Sequence, residues 1–382
     1  MPNIQTSKLN YLSMPQEHNG YIFKSIAKSR QGNEDFILTQ YKDQEFLLRV
    51  IYRKKNILIK GDKLTKVSPI SIIKNALKNF QTLHELELSF SNIGGSKYDE
   101  HFKNSNKYLK DMAYFINDFK TNREIWVEVG FGSGRHLLHQ AKENPEIQFI
   151  AIEIHRPSIE QVIAQCKIQN LENILIINFD ARIFLELLES NSVGKIFVHF
   201  PVPWDKKPHR RVINEDFIKE AKRALKKKGF LHLRTDSENY FNYSLNLFIK
   251  QPKTHIEVKK NIPYEITSKY EERWIKLGKN IYDIYFYSLE DSPQLNEKFD
   301  FTFDKKLINL DFTPKVYNNF VVHLEKEFKI DEKQSLIRAT IGNFNRPEHI
   351  YILNKDKPEY FKLPAPVKDN YLAHLELKRL FS

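Results

Sequence analysis

The chain of 382 residues is 41% hydrophobic and carries a formal charge of +12, so it can build about two to three packed domains, and its surface favours phosphate-bearing partners. One cysteine, Cys166, excludes a disulfide framework within the chain, and no apolar run approaches the roughly 18 residues a membrane span needs. Met1 leads into a polar segment with no apolar signal region, which predicts a cytoplasmic location.

Residues 20–65 alternate apolar and polar side chains ("DFILTQYKDQEFLLRVIYRKKNILIKG") and predict a small antiparallel sheet with polar turns such as Lys42-Asp43-Gln44. Helical spacing follows over 70–82 and 105–119. From about Arg123 the pattern changes. Short apolar runs, "IWVEVG", "FIAIEI", "ILIINF", "KIFVHF" and "FLHLRTD", each precede an amphipathic or turn-led stretch. Such alternation predicts a mostly parallel sheet with crossover helices. Beyond Leu289, "FDFTFDKKLINLDF", "FVVHLEKEFKI" and "EHIYILNKDKPEYFKLPAP" read as strand-rich again. The expected division is a β-rich or mixed accessory region over 1–118, an α/β domain of Rossmann-like type over 119–289 and an α+β accessory region over 290–382. Whether the two flanks form one domain or two stays open.

At the end of the first of these strands stand Gly130, Gly132 and Gly134, a tight turn in which backbone can approach a ligand. A dinucleotide fingerprint would place its third glycine at 135, where this chain has Arg135, which disfavours NAD or FAD. Glu128 precedes the first glycine by two residues. A carboxylate there repels a pyrophosphate and accepts from an ammonium group. The cofactor so described is an adenosine with a positive amine, S-adenosylmethionine. Glu153, after the second strand, is placed to accept from both ribose hydroxyls, and Asp180, after the third, from the adenine amino group. Each acid alone reads equally well as a helix N-terminal acid.

In the order "EVGFGSGRHLL", "AIEIHRPSI", "NFDAR", "VHFPVPWDKKPHRR" and "LHLRTDSENY", the chain resembles bacterial tRNA (guanine-N7)-methyltransferases over residues 123–288. The resemblance implies a class I S-adenosylmethionine-dependent methyltransferase domain that methylates N7 of a guanine in the tRNA variable loop. It carries a substrate contact to Lys206, and to Asp236 a carboxylate able to accept from guanine N1 and N2. A more loosely matched segment, "SKYE", assigns substrate contacts to Ser268, Lys269 and Glu271. The family usually has an acid, proposed as catalytic, where this chain has Val202. The catalytic residue is therefore open: transfer proceeds without that carboxylate, or Asp205 or Asp236 assists, or activity is lost and a tRNA-binding protein remains. A methyltransferase for a different substrate is a further alternative.

Lys206, Lys207, His209, Arg210 and Arg211 form a basic cluster just past the fourth strand and are expected at RNA phosphates, Arg210 and Arg211 among the substrate contacts. Trp204 stacks on a base or plugs its own loop. Lys219, Lys222, Arg223 and Lys226 have the spacing of one helix face, solvated or RNA-facing. His155 and His199 lie at strand ends without zinc-type spacing, and no metal is predicted.

Overall fold

The computed structural model describes residues 2–65, 67, 69–94, 107–264, 271, 277–295 and 297–381. Two compact units form, residues 1–103 with 299–382 and residues 104–298. The first unit begins with strands β1 (Asn3–Thr6), β2 (Gln16–His18), β3 (Tyr21–Ser29), β4 (Glu34–Tyr41), β5 (Gln44–Tyr52) and β6 (Ile57–Gly61), helix α1 (Ser71–Leu83) and β7 (Leu88–Ser91). Strands β3 to β6 are the antiparallel meander predicted over 20–65. The β4–β5 hairpin closes through Lys42 and Asp43, with Lys42 at φ +55°, the left-handed backbone that two-residue hairpin loops require. Helix α1 repeats apolar residues at helical spacing, and Ile72, Ile73, Ala76, Leu77 and Phe80 lie buried against Phe23, Phe46, Leu48 and Ile59.

The second unit contains β8 (Leu109–Lys110), α2 (Met112–Asn117), β9 (Ile125–Val129), α3 (Arg135–Glu143), β10 (Gln148–Ile152), α4 (Arg156–Ile168), β11 (Ile174–Ile177), α5 (Ala181–Leu187), β12 (Val193–His199), α6 (Glu215–Ala224), β13 (Leu225–Thr235), α7 (Glu238–Ile249), β14 (Thr254–Lys260) and β15 (Tyr282–Ser288). The sheet order is β14-β15-β13-β12-β9-β10-β11-β8. Neighbours are parallel except at β15, which runs antiparallel to both β13 and β14. All five residues of β9 are buried, because helices cover both faces of the sheet's centre. Ile125, Val127 and Val129 face one way and share a core with Phe184 of α5, Phe217 and Ile218 of α6, and Tyr240 and Phe248 of α7. Trp126 faces the other way and meets Phe149 and Phe197 edge-on. Strand order reverses at β9, so the glycine turn leaves the sheet at its topological switch point.

Two sequence expectations change here. The helical spacing over 105–119 becomes β8 and the short α2, with residues 105 and 106 outside the described residues. Helix α6 ends at Ala224, so Lys226 lies in β13 and no four-residue basic face exists. Arg223 turns inward instead: its guanidinium donates to the carbonyls of Leu188 (2.7 Å) and Leu185 (2.9 Å) and pairs with Glu220 (2.7 Å).

The chain then returns to the first unit with β16 (Lys315–Val316), β17 (Phe320–Lys329), β18 (Ser335–Asn343), β19 (Glu348–Asn354), β20 (Glu359–Tyr360) and α8 (Lys368–Phe381). Strand β17 pairs with β3 at Phe328↔Ser29 and Lys329↔Lys28, so both flanks share one sheet. The joint is packed by Ala27, Phe36 and Leu47 from one side and Phe328, Leu336 and Tyr351 from the other. Segment "FDFTFDKKL" is not a strand. Phe301, Phe303 and Leu307 nevertheless enter the core with β17, β18 and α8, so the alternation marks side chains buried outside any strand ladder. Among the described residues, no helix is long and apolar enough to cross a membrane.

Candidate functional site

The three glycines do two different jobs. All have positive φ, +70°, +53° and +74° at Gly130, Gly132 and Gly134, where side chains are disfavoured. A Cβ added to Gly130 or Gly132 meets nothing within 4 Å, so bare backbone faces open space. At Gly134 an added Cβ would lie 2.3 Å from Val162 Cγ2, and this third glycine is the contact that lets α3 sit against α4.

Acids surround the turn. Glu128, 3% exposed, accepts from His136 Nδ1 at 2.8 Å. Glu153 directly follows β10 and draws the turn to it: Oε1 accepts from the backbone N–H of Ile154 (2.7 Å) and His155 (2.9 Å), and Oε2 from Gly132 (3.1 Å). Each carboxylate has lone pairs beyond these bonds. Asp180 is the N-cap of α5, accepting from Arg182 N–H at 2.9 Å, and its charge is met by the Arg182 guanidinium at 2.7 Å. Of the three acids it is the one most engaged by its own helix.

The segment after β12 forms a loop held from beneath. Arg211 is buried. Its Nε donates to the Pro203 carbonyl at 2.7 Å, its Nη2 reaches Asp205 at 3.2 Å, and its guanidinium lies 4.4 Å from the Tyr243 ring centre. This arginine, expected at substrate, is instead the clamp that shapes the loop. Asp205 is drawn in as well, accepting from Asn239 at 2.7 Å. Phe200 and Trp204 adopt positive φ, +49° and +45°. Trp204 stays 37% exposed with the Arg210 guanidinium 5.2 Å from its ring centre, so it neither plugs the core nor stands free. Lys206, Lys207, His209 and Arg210 are exposed, and Val202, 60% exposed, offers no hydrogen-bonding group. Asp236 follows β13 half-buried, with Lys279 Nζ at 3.0 Å. Ser268 and Lys269 lie outside the described residues. Glu271 is buried with its carboxylate on Arg234 at 2.5 Å, which places it beneath the site rather than at its surface.

The sequence gives little warning of a buried polar chain on the Glu128 face of the sheet. His199 Nε2 lies 2.9 Å from His232 Nδ1, and His232 Nε2 lies 2.8 Å from Asp283 Oδ1. Arg234 Nη1 donates to both oxygens of Asp283, at 2.7 and 2.6 Å. Burial, reinforced by the neighbouring positive groups, holds His199 well below the ordinary histidine range, and burial also lowers His232 against the pull of Asp283. Alternation in "LHLRT" hints at a second, polar face of β13, but the partners come from β12 and β15 and are joined only by register.

A parallel sheet with bare glycine backbone and acids at its switch point defines a Rossmann-like methyltransferase domain, and a family model described as "Putative methyltransferase" matches residues 122–284. A tRNA (guanine-N(7)-)-methyltransferase of Wolinella succinogenes is 38% identical over 391 residues, covering 100% of this chain and 100% of the relative. The chain belongs to the tRNA (guanine-N7)-methyltransferase family. Relatives of the same name in Campylobacter jejuni (38% over 396 residues, 100% of this chain and 98% of the relative) and Helicobacter hepaticus (38% over 401 residues, 100% of both) also match both units, flanks included. Among solved structures, a 16S rRNA methyltransferase aligns at 13% identity and a TM-score of 0.35, covering 46% of this chain and 91% of that one.

Proposed function

We propose that this protein transfers a methyl group from S-adenosylmethionine to N7 of a guanine in the variable loop of tRNA. The observation that carries the reading is the open backbone of Gly130 and Gly132 at the switch point, beside an exposed basic loop, in a chain with full-length likeness to enzymes of that name. The residues present fit the cofactor: bare backbone leaves room for its close approach, Glu153 retains acceptor capacity for ribose hydroxyls, and buried Glu128 is a carboxylate partner for an amino group. When bound, the cofactor supplies a methyl group on a positively charged sulfur.

Guanine N7 already carries a lone pair, so the protein's work is alignment and accommodation of positive charge rather than proton removal. Lys206 and Arg210 meet RNA phosphates, the Arg211 clamp holds their loop in one shape, and Asp236 accepts from the 2-amino group of guanine. Bringing the base out of its stack costs on the order of a few kcal/mol. The test is transfer of labelled methyl to tRNA lacking the modification, followed by borohydride and aniline cleavage. Cleavage in the variable loop is the expected result. Unlabelled tRNA with folded, cofactor-binding protein would overturn the reading, and retained tRNA affinity would leave a binding protein.

A further inference from the structure

We propose that His199 recognises the target guanine, its Nδ1 lone pair accepting a hydrogen bond from guanine N1–H, in a tautomer dictated by His232 and Asp283. The inference rests on the tRNA guanine-N7 reading above. Each step of the chain forces the next. Asp283 is fully buried and held by two contacts from Arg234, so it is a carboxylate and can only accept. The nitrogen facing it, His232 Nε2, must therefore carry the hydrogen. His232 is buried and neutral, which leaves Nδ1 bare, and His199 Nε2 at 2.9 Å must donate to it. A neutral His199 then has a lone pair on Nδ1 and cannot present a donor there. Among the described residues, no hydrogen bond to that nitrogen is made.

Position makes the lone pair useful. His199 is the last residue of β12, at the carboxyl edge of the sheet, in register with Arg234 two residues before Asp236. Its half-buried ring lies 4.5 Å from that of His136, which Glu128 holds beside the glycine turn. In the loop that follows, the Val202 side chain brings no acceptor, and Asp205 Oδ1 is engaged by Arg211 and Asn239. His199 and Asp236 thus put two acceptors at one edge, matching the N1–H and 2-amino donors of guanine. Adenine has a lone pair at N1, and two lone pairs repel, so the same nitrogen rejects adenine. It also favours transfer. Bond formation from the N7 lone pair to the methyl carbon, as the carbon–sulfur bond breaks with its electrons going to sulfur, leaves the purine cationic and N1–H a stronger donor. The contact strengthens toward the transition state while the proton stays on N1.

The experiment compares guanosine with 2-aminopurine at the target position of tRNA, in single turnover at saturating cofactor. The analogue keeps N7 and the 2-amino group but has a lone pair in place of N1–H and no 6-oxygen, a second change that is the same for wild type and variant. Wild type is expected to prefer guanosine by about tenfold to a hundredfold, the effect of leaving one buried acceptor unmade. In His199→Phe the guanosine rate falls by a similar factor while the 2-aminopurine rate holds or rises, because its N1 lone pair no longer faces that of His199, so the preference shrinks. An unchanged preference overturns the proposal. Should His199→Phe not fold, Val202→Asp decides: an acceptor added to the loop is expected to change guanosine turnover by less than about threefold, and a gain of tenfold or more would show that none was in place. If wild type transfers nothing to tRNA N7, the functional reading fails and this proposal with it; if wild type is active and the preference is insensitive to His199, only this proposal fails.

Discussion

Glycines that look equivalent in the sequence differ in what an extra methyl group would meet. Gly134→Ala is expected to cost at least about 2 kcal/mol, since its Cβ would collide with Val162 in a backbone that already disfavours a side chain. Gly132→Ala, with open space around it, is expected to cost about 1–2 kcal/mol in backbone strain and to weaken cofactor binding more than its fold. Urea denaturation paired with cofactor titration separates the two. Arg234 stands between two buried carboxylates, Asp283 and Glu271, and replacing it with Met removes its guanidinium from both. A loss of about 3–5 kcal/mol in denaturation is expected. In the other unit, burial lowers His374 to about 4, with its Nε2 donating to the Thr302 carbonyl and Tyr360 donating to Nδ1. Above pH 6.5 the imidazole is neutral folded or unfolded, and its full contribution is present. Between pH 6.5 and 4 the unfolded chain takes up a proton that the folded chain refuses, so stability falls by on the order of 3 kcal/mol. Urea midpoints at pH 7 and 4.5 should differ less in His374→Phe than in wild type; an equal difference would contradict this origin.

At the level of elements, the loop after β12 depends on one buried cation. Arg211→Met is expected to leave cofactor affinity within about threefold while lowering tRNA turnover by roughly tenfold or more, because Pro203 and Asp205 lose their shared donor and the exposed lysines lose a fixed frame. An equal loss of both would mean that the arginine supports the whole unit. This clamp shows how far sequence carries. The central parallel strands are legible because burial on both faces writes near-continuous apolar runs, as in "IWVEV". The glycine turn and its acids are legible for a related reason: strand ends can be counted. Arg211 is not, because a basic run does not say which member turns inward. Nor is the pairing of His199, His232 and Asp283, which register brings together from three strands. Period-two alternation misleads at Phe301 and Phe303, where the segment buries aromatics without joining a ladder. Helical spacing misleads at Lys226, since charge periodicity does not resist a strand start one residue after α6 ends.

For the molecule as a whole, the excess positive charge sets how RNA binding responds to salt. Replacing Lys206 and Arg210 together with alanine should weaken tRNA binding across sequences and reduce the slope of log affinity against log salt by about 1 per lost phosphate contact. A slope unchanged in filter binding from 50 to 200 mM salt would mean that these side chains stay off the phosphates.

The ladder between Phe328 and Ser29 also fixes an order of events during synthesis. Residues 104–298 have all emerged before β17 exists, whereas the end of β3 at Lys28 and Ser29, beyond the part that β2 covers, must wait unpaired for a partner on the far side of the inserted unit. An unpaired edge invites pairing with other chains. If the inserted unit folds while the ribosome is still at work, its own compactness brings the two flanks closer than a loose chain of that length would, and lessens the entropy of closing so long a loop. Nascent chains arrested soon after residue 298 leaves the exit tunnel should then resist protease in the methyltransferase unit while the first hundred residues are still cut.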